Sequence, residues 1–154
     1  YYIMELIDAV TDFSIEKDIV RPEYDVEFRT SEDREVFAWG YNINPYQSHH
    51  ALCCVAYCNQ IPIDMKQLES YSSYSKKYFM GHIAVAYTVW SCSEIKGMGR
   101  FLMMELQKHF REVLHIHRLV TLSPRTEMAK NFHLSNGATL LSTNADSYNF
   151  EYEI

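Results

Sequence analysis

The segment from His82 to Arg111 constrains this chain most. His82 to Trp90 is a near-continuous apolar run of strand length, the pattern of a strand buried on both faces. It is followed by Glu94-Ile-Lys96-Gly97-Met98-Gly99-Arg100 and then by Met98, Leu102, Leu106, Phe110 and Val113, which share one face of a helix. A buried strand, a glycine turn and an amphipathic helix in that order place the free N–H groups of a first helical turn beside the strand's end. Glycines there let the backbone approach an anion closely, and Lys96 and Arg100 add positive charge. The segment from Thr88 to Arg100 is therefore a candidate phosphate-holding site, against the plainer reading of an ordinary strand-to-helix turn.

The flanking pattern is that of a mixed α/β domain. Ile3 to Phe13 has helical apolar spacing through Ile3, Leu6, Ile7 and Val10, which predicts a first helix. Glu16 to Pro22 reads as a loop. Asp25 to Arg29 and Glu35 to Tyr41 read as strands, Asn42 to Ser48 as a longer turn around Pro45, and His50 to Cys58 as a further strand. Ile63 to Ser70 reads as a short helix, and the Ser/Tyr-rich stretch to Lys77 as a loop. Beyond the long helix come a strand at Arg118 to Leu122 and a short helix over Thr126 to Ser135, ended by Asn136-Gly137. Strands at Ala138 to Ser142 and Asn149 to Glu153 finish the chain. At 154 residues the chain is expected to form one domain, large enough to bury a core without metals or disulfides.

Composition narrows the function. A net charge of −6 argues against a general nucleic-acid or anionic-membrane binder. No apolar run is long enough to cross a bilayer. Cys53, Cys54, Cys58 and Cys92 lack paired metal-ligand spacing and read as small buried residues of a reducing compartment, so a cytoplasmic location is expected. His49-His50 has no carboxylate or Cys at metal spacing and reads as a solvated loop. His109, His115 and His117 complement a helix C-terminus, and Tyr71, Tyr74 and Tyr78 read as a loop packing on the core. The opening Tyr-Tyr-Ile-Met-Glu-Leu has no charged leader, and without an initiator Met it suggests a piece of a longer chain.

Two resemblances add to this reading. Glu94-x-x-Gly97-x-Gly99 is similar to the Q/R-x-x-G-x-G/A signature of the GNAT superfamily of acyl-CoA-dependent transferases, with Glu in place of Gln or Arg. The resemblance implies a GNAT fold, a mixed and mostly antiparallel sheet flanked by helices. It also implies that Thr88, Val89, Trp90, Lys96, Gly97, Met98, Gly99 and Arg100 hold the diphosphate and pantetheine of coenzyme A. Where those transferases carry a Tyr acid, this chain has His133.

The second resemblance is more specific. Thr121-Leu122-Ser123-Pro124 and Asn131-Phe132-His133-Leu134-Ser135-Asn136-Gly137-Ala138 resemble two motifs of the malonyl-CoA decarboxylases. Asn144-Ala145-Asp146-Ser147 and Asn149-x-x-Tyr152 follow in the same order. The upstream course from Val36 to Tyr87 is similar, less specifically. The family's long helical insert between the two motifs is reduced to Arg125 to Asn131, and its N-terminal helical domain is missing. In this size the chain also resembles decarboxylating GNAT loading modules of polyketide synthases.

The resemblance implies that Ser123 and His133 are catalytic in decarboxylating a malonyl or methylmalonyl thioester. No cofactor is required beyond coenzyme A or phosphopantetheine as carrier, and the partner is an acyl-CoA or an acyl carrier protein. The chemistry suits the residues: an enolate forms, a hydroxyl can donate to its oxygen, and an imidazole can protonate its carbon. Plainer readings are a helix cap for Ser123 and a core or surface histidine for His133. Rival functions are an N-acyltransferase using Glu35 or Glu27 as base, and an inactive GNAT-fold binding module, which Glu94 would favour.

Overall fold

The computed structural model describes residues 3–11, 18–31, 33–43, 46–72, 81–92 and 94–154. Among them eight strands form one sheet in the order β1-β2-β3-β4-β5-β8-β6, with β7 paired to β8. The strands are β1 (Met4–Ile7), β2 (Arg34–Ile43), β3 (Tyr46–Cys58), β4 (Ile83–Ser91), β5 (Arg118–Thr121), β6 (Ser123–Pro124), β7 (Thr139–Thr143) and β8 (Ser147–Tyr152). Only β4 and β5 run parallel. The four helices are α1 (Val26–Arg29), α2 (Met65–Tyr71), α3 (Met98–Arg111) and α4 (Glu127–Ser135).

The central strands are apolar on both faces because each face carries its own core. Phe37, Val55, Ala84 and Ala86 pack with Leu102, Leu106 and Phe110 of α3. Val36, Cys54, Val85 and Tyr87 pack on the other side with Leu68 of α2. Burial pushes the Cys54 thiol up to about 12 and holds the Cys53 thiol well above its ordinary value, so neither is a nucleophile at neutral pH. Cys53, Cys54, Cys58 and Cys92 are free thiols, and no described helix is long and apolar enough to cross a membrane.

Three expectations are corrected. The first helix is instead strand β1, paired antiparallel with β2. Met4 and Leu6 point to the α3 core while Ile7 reaches the opposite one, a period-two arrangement that the same apolar residues satisfy once a partner strand is present. Residues 12–13 of that expectation lie outside the described residues. The strand expected at Asp25 to Arg29 is the single-turn helix α1, capped by Asp25 accepting from the Phe28 N–H at 2.8 Å. The longer turn expected over Asn42 to Ser48 is replaced by continued pairing, Asn42 with Gln47 and Ile43 with Tyr46; Pro45 lies outside the described residues, as do Tyr74 and Tyr78. Asp64 caps α2, accepting from the Gln67 N–H at 2.8 Å, and Gly137, at φ +92°, closes α4 where the Asn136-Gly137 stop is expected.

Candidate active site

The site begins where two parallel strands part. β4 pairs with β5 from Ile83 to Ala86, and the last link is the Leu122 N–H donating to the Ala86 carbonyl at 2.8 Å. Beyond it β4 continues to Ser91 with β3 alone beside it. A bulge at Tyr87, between the pairs Ala86–Val55 and Thr88–Cys54, turns the strand at the fork. Tyr87 and Thr88 both face the α1 side as a result: the Thr88 hydroxyl donates to Asp18 at 2.9 Å, and Asp18 accepts from Arg29 at 2.6 Å. Thr88 and Trp90 are buried there, so toward the fork they offer backbone and not side-chain groups.

The fork opens into a cleft of about 640 Å³. Its walls include all eight residues expected to hold coenzyme A, Thr88, Val89, Trp90, Lys96, Gly97, Met98, Gly99 and Arg100, together with Ser123 and His133. Glu35 and Glu27 do not line it; Glu35 instead accepts from the Tyr57 hydroxyl at 2.7 Å.

At one end lies the start of α3. Gly97 takes a left-handed φ of +87° and caps the helix without a side-chain hydrogen bond. The first intrahelical bond is from the Phe101 N–H to the Gly97 carbonyl, so the N–H groups of Met98, Gly99 and Arg100 precede the ladder and suit an anion. Gly99 serves a different purpose. A Cβ there would stand 3.1 Å from the Phe132 ring, so its glycine lets α3 approach α4.

Ser123 and His133 line the same cleft. Ser123, in β6, is buried, and its hydroxyl donates to Thr121 Oγ1 at 2.9 Å. Thr121 Oγ1 also accepts the Phe150 N–H at 3.1 Å. The Ser123–Thr121 bond can reverse, Thr121 donating, which releases the Ser123 proton for a ligand. Ser123 does not cap α4; Thr126 does, accepting from the Ala129 N–H.

His133 projects from α4 into a shell of Phe132, Phe150 and Tyr152, with ring centroids 5.0, 5.2 and 5.7 Å away. That apolar enclosure pulls its pKa down to about 4. An imidazolium is therefore not the resting form at neutral pH. Nδ1 lies 2.8 Å from the Tyr152 hydroxyl, whose own pKa burial raises, and the Asn136 amide donates to the same oxygen at 3.4 Å. With Tyr152 donating to Nδ1, the ring proton sits on Nε2.

The sequence assigns Thr121, Asn136 and Tyr152 no part in the site, although all three stand inside the quoted motifs and Asn136 reads as a helix stop; only their hydrogen bonds reveal what they do there. Asn144, Ser147 and Asn149 are structural. Asn149 donates to the Pro62 and Thr121 carbonyls, both at 2.9 Å, and accepts from Asn144 and Ser142.

No protein-family model matches this sequence, and no curated protein sequence is similar to it. Solved structures are similar in fold. A malonyl-CoA decarboxylase from Agrobacterium vitis superposes with a TM-score of 0.74 at 15% identity, over 99% of this chain and 60% of its own. The chain thus spans about three-fifths of that decarboxylase. Arabidopsis thaliana NAA60 in complex with acetyl-CoA gives 0.62 at 14% identity, over 97% and 98% of the two chains. The PaiA N-acetyltransferase from Thermoplasma acidophilum in complex with coenzyme A gives 0.56 at 14% identity, over 87% and 74%. The chain has the GNAT fold, as the sequence signature implied.

Proposed function

We propose that this chain decarboxylates a malonyl or methylmalonyl thioester, carried on coenzyme A or on the phosphopantetheine of an acyl carrier protein. The observation that carries the reading is that Ser123 and His133, buried residues from different elements, line the same cleft that starts at the Gly97 turn. The diphosphate sits at the first turn of α3 with Lys96 and Arg100 beside it. The pantetheine lies along the free edge of β4, and the thioester reaches Ser123. The bond between the α-carbon and the carboxylate breaks, carbon dioxide leaves, and the electron pair passes to the thioester oxygen as an enolate. Ser123, relieved by Thr121, donates to that oxygen. The Nε2 proton of His133 then passes to the α-carbon as the thioester carbonyl re-forms. Nε2 recovers its proton from water admitted as the products leave, while Tyr152 keeps donating to Nδ1, so one solvent proton is consumed per turnover and the starting tautomer is restored.

A second reading, acyl transfer from an acyl-CoA to an amine, is favoured by the fold's likeness to acetyl-CoA-bound NAA60 over nearly the whole of both chains. Mass spectrometry after incubation with malonyl-CoA or acetyl-CoA, each with and without amines, separates the two. The proposal predicts acetyl-CoA from malonyl-CoA with no amine present. Unchanged malonyl-CoA together with acetylated amine would replace it with the transferase.

A further inference from the structure

Two carbonyls in the cleft wall are answered by a side chain that stands behind it. Arg21 follows Val20, which packs on the α2-side core. Its Nε donates to the Tyr87 carbonyl at 2.7 Å and its Nη2 to the Leu122 carbonyl at 3.0 Å. Tyr87 belongs to β4, Leu122 links β5 to β6, and both line the cleft. One guanidinium therefore spaces the two branches just past their last shared bond.

The register shows what it displaces. In a parallel ladder carried one step beyond Ala86 and Thr121, the Leu122 carbonyl would accept the Thr88 N–H, and the Thr88 carbonyl would accept from residue 124. The first acceptor is taken by Arg21, and the second donor does not exist because residue 124 is proline. Leu122 is fully buried, so without the guanidinium its carbonyl would lack a donor, and drawing the strands together would supply one.

Arg21 is itself held in place. Its N–H donates to Asp18 Oδ1 at 3.2 Å, and its carbonyl accepts from Arg29 Nη2 at 2.6 Å. Asp18 and Arg29 are the buried pair whose carboxylate also accepts the Thr88 hydroxyl, which ties the same assembly to β4. Tyr24, Glu23 and Asp18 face the Arg21 charge from its own segment. What Arg21 offers the fork is thus a rigid pair of donors and not an unanswered charge.

We propose that Arg21 is a positioning residue that keeps β4 and β5 apart at the fork, at the width that admits the pantetheine arm of a thioester. This rests on the coenzyme A reading of the cleft and holds for either reaction. The arm's site is then set before the ligand arrives, by a side chain that does not touch it.

The test is calorimetric titration of coenzyme A and of 3′-phosphoadenosine diphosphate, the same molecule without its pantetheine arm. Wild type should bind both, coenzyme A the more tightly. Arg21→Ala should weaken coenzyme A at least tenfold and change the nucleotide's affinity less than twofold, because the first turn of α3 is untouched. Guanidinium chloride at low millimolar concentration, far below denaturing levels, should restore coenzyme A binding to Arg21→Ala, and ethylammonium chloride should not. Arg21→Lys, whose ammonium cannot hold both carbonyls in one plane, should show the same selectivity with a smaller loss, and decides alone if Arg21→Ala does not fold. Unchanged coenzyme A affinity in the folded variants, or an equal loss of both ligands, overturns the assignment while wild-type binding upholds the coenzyme A reading. Binding of neither ligand to wild type overturns both.

Discussion

Four side chains divide the chemistry at the residue scale, and each makes a separable demand. His133→Ala should lower kcat by about a hundredfold or more, the usual scale for a proton donor. Tyr152→Phe leaves Nδ1 without its donor, so the ring can turn to the wrong tautomer; kcat should fall about tenfold with KM little changed. Ser123→Ala should remove roughly 2–4 kcal/mol of transition-state stabilisation, and Thr121→Val a part of that, because Thr121 frees the Ser123 proton. Steady-state kinetics on folded variants check all four. Since burial holds His133 near a pKa of about 4, the rate should not titrate with a histidine between pH 6 and 8. A fall in rate with a midpoint near 6.5 that disappears in the His133 variant would show an exposed imidazole and contradict the enclosure.

At the scale of elements, the glycine turn and the fork do different work. Gly97 is required by its φ of +87°, so Gly97→Ala should cost about 1–2 kcal/mol and distort the first N–H groups of α3. Gly99→Glu would push on Phe132 as well as repel a diphosphate, and so mixes two effects. Lys96→Glu and Arg100→Glu are cleaner, since both residues are exposed. Each should weaken coenzyme A binding about fivefold to tenfold, roughly 1 kcal/mol of screened charge. The thermal midpoint without ligand should stay unchanged. The second half of the chain was legible because its signals are local: a long apolar strand, a glycine turn, α3's periodic face, the Asn136-Gly137 stop. The first half was not, because β1 owes its form to β2 and α1 is a single turn. The partners of Ser123 and His133 were equally illegible. Thr121 lies two residues from Ser123, yet the motif does not reveal that their hydroxyls bond, and Tyr152 meets His133 only once β8 and α4 are brought together.

For the molecule as a whole, His133 ties stability to pH. Its folded pKa of about 4 lies below the unfolded value near 6.5, so the unfolded chain binds the extra proton first. Stability from this group is full above pH 6.5 and is lost as pH falls toward 4, by up to about 3 kcal/mol. Denaturant midpoints of wild type and His133→Gln should converge over that window; curves that remain parallel would remove the buried imidazole from the account. Ser123 and His133 reach one cleft because β6 and α4 are drawn together by the β7–β8 hairpin, whose Asn149 holds β5 and the loop at Pro62. The central claim is carbon–carbon cleavage at that cleft, and release of labelled carbon dioxide tests it most directly. With malonyl-CoA labelled in its free carboxylate and no amine present, wild type should release label in equal amount to the acetyl-CoA formed, and His133→Ala should release it at least a hundredfold more slowly. Absence of labelled carbon dioxide from the wild type, or an equal rate from folded His133→Ala, would contradict it.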